Sequence, residues 1–308
     1  MSPSSDTACP IGPQVADLDP CEPRPTSGRA RCSATSRIAL VEAATQSRTA
    51  VDVHGHVAEV RMTRPDKHNA LDFAMFESLN EALLRLRDER GVRVVVLHGE
   101  GPSFCSGLDF PSFLAEGRPI DEMLAKHEGG PANLAQQVSY GWQTLPMPVI
   151  AAVHGNCIGG GAQIALGADV RIVHPDARIS IRETAWGLIP DMGITRSLPR
   201  LVRFDIAKEL VLTARFVSGA EAADIGLATR LDADPLSAAR ALAQEIAALS
   251  PDATRRAKAL LERGWNVSAE ESLALEESLQ RELLGSPNQA KAVQAGFSGE
   301  PAQFDDPE

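Results

Sequence analysis

The stretch from Pro148 to Asp169, reading PVIAAVHGNCIGGGAQIALGAD, constrains the fold more than any other part of the chain. Val149 to Val153 is an apolar run with the length and composition of a buried strand. Gly155 and the triplet Gly159, Gly160 and Gly161 come next. Ile164, Ala165 and Ala168 then space themselves along one face of a short helix. The glycines therefore stand where a strand hands over to a helix. The first turn of a helix carries free N–H groups and partial positive charge, and glycine lets another group approach them. Such a turn suits an anion, or an oxygen that becomes anionic during a reaction. The plain alternative is a tight, closely packed turn. A dinucleotide fingerprint fits poorly, because Gly155, Gly159 and Gly160 do not follow G-x-G-x-x-G.

At 308 residues the chain is long enough to bury a substantial core. A net charge of −11 argues against nucleic acid or an anionic membrane surface as the main partner. No apolar run approaches the roughly 20 residues that span a bilayer. Cys9, Cys21, Cys32, Cys105 and Cys157 are odd in number and lack paired spacing. That points to free thiols in a reducing compartment, with no disulfide framework or zinc site, and a cytoplasmic location is expected.

Residues 1–47 are rich in Pro, Ser and Thr without apolar period, and are expected to be a disordered extension. They lack the apolar core of a secretory signal, and Asp6, Asp17, Asp19 and Glu22 are out of character for a transit peptide. Order is expected from near Val51. Val57 to Met62 reads as a strand, and Asp72 caps a helix with Phe76, Leu79, Leu83 and Leu86 on one face. Val94 to Leu97 is a β-branched buried strand. Gly99, Gly101 and Pro102 turn the chain into Ser106-Gly107-Leu108-Asp109. Pro111 to Thr144 is expected to be a mobile, lid-like loop and then a helix. Val170 to His174 and Ile179 to Ile181 read as strands, followed by a loop with Glu183 and Asp191. Helices follow near Ile194–Val202, about Leu210, at Gly219–Ile225 and at Pro235–Leu249. Two more start at Ser250-Pro251 and at the Ser268/Glu271 capping box. Strand–helix units followed by helices imply an α/β core over 48–245 and a helical region over 246–308.

Three loops thus follow strands in an α/β layering, where ligands gather at strand ends. Two glycine turns offering two N–H groups to one oxygen would form an oxyanion hole. A carboxylate beside it would act as general base on a proton α to a carbonyl. Proton abstraction from an activated carbonyl compound is the reaction class these parts suggest.

Four segments, Arg64-Pro-Asp-Lys-His-Asn-Ala-Leu71, Phe104-Cys-Ser-Gly-Leu-Asp109, His154-Gly-Asn-Cys-Ile-Gly-Gly-Gly161 and Trp186-Gly-Leu-Ile-Pro190, together resemble the crotonase family of enoyl-CoA hydratases and isomerases. The resemblance covers roughly residues 51 to 300. It implies a ββα spiral core with a C-terminal helical trimerisation region, and homotrimers or homohexamers. It implies an acyl-CoA thioester substrate, with coenzyme A as part of the substrate and no separate cofactor. The thioester oxygen would be held by the peptide N–H groups of Leu108 and Gly160. Lys67, His68 and Ala70 would lie along the CoA moiety, and Ser106, Gly107 and Gln163 would also contact substrate. Hydratases of the family use two Glu residues. The later matches Glu183, but the earlier is Gln163, an amide that cannot exchange a proton as a carboxylate does. A double-bond shift needs only one base, and Glu183 would serve. Asp191 matches an acid of the dienoyl-CoA isomerase branch, which also carries an Asp where this chain has Gln163, so the match is partial; Asp191 either assists proton return or tunes Glu183 by like-charge coupling. The expected activity is therefore enoyl- or dienoyl-CoA isomerisation. The rivals are a hydratase working with Glu183 alone and a catalytically weak acyl-CoA-binding protein.

The remaining candidates are read as structural. Asp109 is expected to cap the following helix, and His54 and His56 to be solvated with no metal. Cys105 and Ser106 lack a histidine partner for a nucleophile role.

Overall fold

The first elements among the described residues form an antiparallel hairpin, β1 (Thr49–His54) and β2 (Val57–Met62), with Val51 opposite Val60. The structure, a computed structural model, describes residues 47–126 and 130–307. The extension expected over 1–47 lies outside the described residues except at its last position. After the hairpin come α1 (Phe73–Arg87), β3 (Val94–Gly99), α2 (Phe110–Glu116), α3 (Ile120–Leu124) and α4 (Leu134–Thr144). Next are β4 (Val149–Val153), β5 (Asn156–Ile158), α5 (Gly160–Leu166), β6 (Val170–Val173) and β7 (Arg178–Ser180). Then follow α6 (Ile194–Leu201), α7 (Phe204–Thr213), β8 (Val217–Ser218), α8 (Gly219–Ile225) and β9 (Arg230–Leu231). Four helices close the chain: α9 (Pro235–Ala247), α10 (Pro251–Gly264), α11 (Ala269–Leu283) and α12 (Pro287–Ser298).

The main sheet runs β1-β2-β3-β4-β6-β9 and is parallel from β2 onward. Parallel strands are covered on both faces, so their sequences are apolar without alternation. In β3 and β4 the side chains nevertheless divide by parity. Val95, Leu97, Val149 and Ala151 join the large core with α1 and α4. Val94, Val96, Ile150 and Ala152 pack under α9 against Ala239 and Ala243. This explains why Val149–Val153 reads as one unbroken apolar run.

A second, three-stranded sheet, β5-β7-β8, sits beside the glycine triplet. The stretch expected to be a lid-like loop instead holds α2 and α3, two helices too short for an apolar period to show; residues 127–129 lie outside the described residues. The helix expected after it is α4, which opens with an Asn133/Gln136 capping box. α10 docks on the core through Lys258, whose ammonium group meets Asp169 at 2.7 Å and the carbonyls of Trp142 and Met147 at 2.9 and 3.0 Å. Among the described residues no helix is long and apolar enough to cross a membrane.

Candidate active site

Segment 105–109 is threaded between two neighbours. On one side Cys105 N–H donates to Asn156 O (3.0 Å) and Ile158 N–H to Cys105 O (3.0 Å). On the other, Ser106 N–H donates to His68 O (2.9 Å), Leu71 N–H to Gly107 O (2.8 Å) and Asp109 N–H to Leu71 O (2.9 Å). Gly159 N–H in turn donates to Ser180 O at 2.8 Å. The two glycine turns and the end of β7 therefore lie side by side. Gly107 must be glycine twice over: its φ is +90°, and a Cβ would lie 2.8 Å from Ile158 O. Within this ladder the Leu108 and Gly160 N–H groups donate to no acceptor among the described residues. Gly160 is the first residue of α5, where an orphan N–H is inherent to the helix. Leu108 lies in the strip between residues 68–71 and β5. The structure thus leaves unpaired, among the described residues, the two donors that the family resemblance implies.

Glu183 opens a 3-10 turn, Glu183–Trp186, just after β7. A Cβ on Gly159 would lie 3.4 Å from Glu183 Oε1, so the carboxyl group stands against the glycine triplet. Oε1 accepts from Gln163 Nε2 at 2.6 Å. Oε2 is buried with no hydrogen-bond partner among the described residues. Burial pushes the Glu183 pKa above its ordinary value; its own backbone N–H and the Gln163 amide oppose this, and the charge of Asp191 adds to it. Asp191 is exposed as a residue, yet the protein around its carboxyl group raises its pKa by desolvation as well. A carboxylate with a raised pKa, one free oxygen and unpaired N–H groups nearby is equipped for proton transfer.

Gln163 departs from the expectation that it contacts substrate. It has no exposed surface, and its amide oxygen accepts from Met192 N–H at 2.9 Å while its NH₂ holds Glu183. It therefore stands behind the base. Nothing in the sequence marked Met192, because a backbone N–H carries no residue signature.

The segment from Arg64 to Leu71 is held rigidly. His68 and Asn69 adopt left-handed φ values of 51° and 55°. Asn69, fully buried, accepts from Arg64 N–H and donates to the carbonyls of Glu100 and Ser103. Lys67 and His68 are exposed, whereas Ala70 is buried with its carbonyl accepting from Arg64 Nη1. Ser106 Oγ donates to Lys67 O, and His68 Nδ1 lies 2.9 Å from Ser103 Oγ. Beneath the segment the Arg64 guanidinium bridges Asp109 (2.8 Å) and Asp72 (3.6 Å). Asp109 caps α2 as expected, accepting from Ser112 N–H. Burial raises its pKa, but Ser112 and Arg64 outweigh that and leave it below the ordinary carboxylate value.

His54 and His56 are exposed, and no metal-binding cluster exists among the described residues. Cys105 is fully buried, and desolvation pushes its thiol up to about 12, which leaves no thiolate at neutral pH. A cavity of about 490 Å³, lined by Asp169, Lys258 and Trp265, includes neither Glu183 nor Asp191 in its lining.

Residues 52–306 match the family model described as enoyl-CoA hydratase/isomerase. The bovine mitochondrial enoyl-CoA hydratase domain-containing protein 2 is 36% identical over 231 residues, covering 71% of this chain and 74% of that protein. Mouse mitochondrial Delta(3,5)-Delta(2,4)-dienoyl-CoA isomerase is 33% identical over 250 residues, covering 79% and 76%. Among solved structures, an enoyl-CoA hydratase from Bacillus anthracis superposes with a TM-score of 0.74 at 28% identity, covering 83% of this chain and 98% of that one. The fold, the order of the four segments and these likenesses agree, and the chain belongs to the enoyl-CoA hydratase/isomerase, or crotonase, family.

Proposed function

We propose that the protein shifts the double bond of an enoyl- or dienoyl-CoA thioester. Glu183 Oε2 removes a proton from the acyl chain, and the electron pair delocalises onto the thioester oxygen. The N–H groups of Leu108 and Gly160 stabilise that enolate oxygen. The proton returns two or more carbons away, from Glu183 or with help from Asp191. Coenzyme A enters as part of the substrate and lies along Lys67, His68 and Ala70, and no further cofactor is required. The observation that carries the reading is the single buried, unpaired carboxylate oxygen of Glu183 beside the glycine triplet.

A second reading is hydration by Glu183 alone, favoured by the hydratase names among the relatives. The position where the two-carboxylate hydratases carry their other acid is an amide here, which favours the shift. Glu183→Gln tests the base. It is expected to lower kcat by about 10²- to 10⁴-fold while CoA-ester binding persists. Full turnover by that variant with every thioester the native enzyme accepts would remove Glu183 from the mechanism.

A further inference from the structure

We propose that Gln163 is a positioning residue whose buried amide clamps Glu183 to the Asp191–Met192 peptide and commits the site to one-base chemistry. The inference rests on the reading of Glu183 as base. Met192 N–H can only donate, so it takes the amide oxygen of Gln163 at 2.9 Å and turns the NH₂ group toward Glu183. The amide orientation is thereby fixed from the opposite end. That NH₂ group meets Glu183 Oε1 at 2.6 Å and occupies it. Oε2, buried and without a partner among the described residues, is the oxygen this leaves open to exchange a proton.

Three consequences follow from the chemistry of an amide. It donates to the carboxylate and so favours the ionised form against the burial that opposes it. It cannot take a proton from water, so it supplies no second base for hydration. A carboxyl group in its place would stand 2.6 Å from another carboxyl, and one proton would be shared between them. The clamp also reaches past Glu183. Met192 directly follows Asp191, and its Sδ would lie 2.9 Å from a Cβ on Gly160. One side chain from α5 therefore ties the base to the peptide between Asp191 and Met192, and the Met192 side chain packs against Gly160.

The test uses Gln163→Met, which keeps length and loses both hydrogen bonds, and the isosteric Gln163→Glu. The Glu183 carboxyl is titrated without substrate by infrared spectroscopy in heavy water, each protein referenced to its own Glu183→Gln counterpart. The pH profile of kcat with the accepted enoyl-CoA is recorded in parallel. In Gln163→Met both the carboxyl titration and the acid limb of kcat are expected to rise together by about one to two pH units. At neutral pH kcat falls about 10- to 100-fold with little change in KM. Gln163→Glu is expected to move both upward as well, and it decides the matter if Gln163→Met fails to fold. A Glu183 titration that stays at the native position in the folded variant overturns the clamp, as does a change confined to KM. A native enzyme that turns over no enoyl thioester would overturn the reading of Glu183 as base. The infrared titration would still decide the role of Gln163.

Discussion

A carboxylate that is buried, half-paired and next to a second acid is poorly solvated once ionised, and Glu183 is held in that state. Its folded-state pKa is raised, so the fold binds its proton more tightly than the unfolded chain does. The stability this contributes is fully present below the unfolded value, about 4.3, and is lost as pH rises through the folded value. Glu183→Gln removes the charge and is expected to raise Tm at pH 7 by about 2 to 4 °C, with no gain at pH 4. Calorimetry at the two pH values checks this, and an equal change at both contradicts it. The acid limb of kcat/KM belongs above the ordinary carboxylate range for the same reason, with activity lost as pH falls. Leu108, Gly160 and Glu183 were singled out through the family resemblance that the four segments carry together. The pairing of Gln163 with Met192 was not, since one partner is a main-chain N–H that any residue supplies.

Elements with chemical punctuation were read closely. α8 runs over Gly219–Ile225 as expected, α1 begins after Asp72, and α10 and α11 begin after Ser250 and Ser268. β5, β8 and β9 are two or three residues long, too short for any period to show. α12 was missed although Ser286 and Pro287 repeat the Ser250-Pro251 signal, because Asn288 is its only buried residue and no apolar stripe marks it. β1 was missed because its first half is only partly buried and its second half is exposed. Lys258 of α10 joins Asp169, which follows α5 and also accepts from Val149 N–H at 2.7 Å. Lys258→Met strands Asp169 without its cation and is expected to cost about 3 to 5 kcal/mol. Adding Asp169→Asn should recover part of the loss, because Asn keeps an acceptor for Val149. Denaturant unfolding of the single and double variants measures the coupling. A double variant no more stable than Lys258→Met would show that this pair does not hold α10.

Leu249, Leu261, Trp265, Leu273 and Phe297, all beyond the main sheet, are exposed. We propose that this apolar surface is covered in a homotrimer or a pair of trimers. Light scattering is expected to give about three or six times the 32.8 kDa chain mass, and Trp265→Lys is expected to lower it. A native protein that runs as a monomer at micromolar concentration contradicts this. At the scale of the whole molecule, we propose that Glu183 and two N–H groups perform a proton shuttle with no water added. The direct measurement is a mass and absorbance assay of the native protein in heavy water with 2-enoyl-, 3-enoyl- and 3,5-dienoyl-CoA. A product with a moved double bond, deuterium incorporated and no added water is the predicted result. A product heavier by one molecule of water would contradict the account, and would mean that Glu183 hydrates without a second carboxylate.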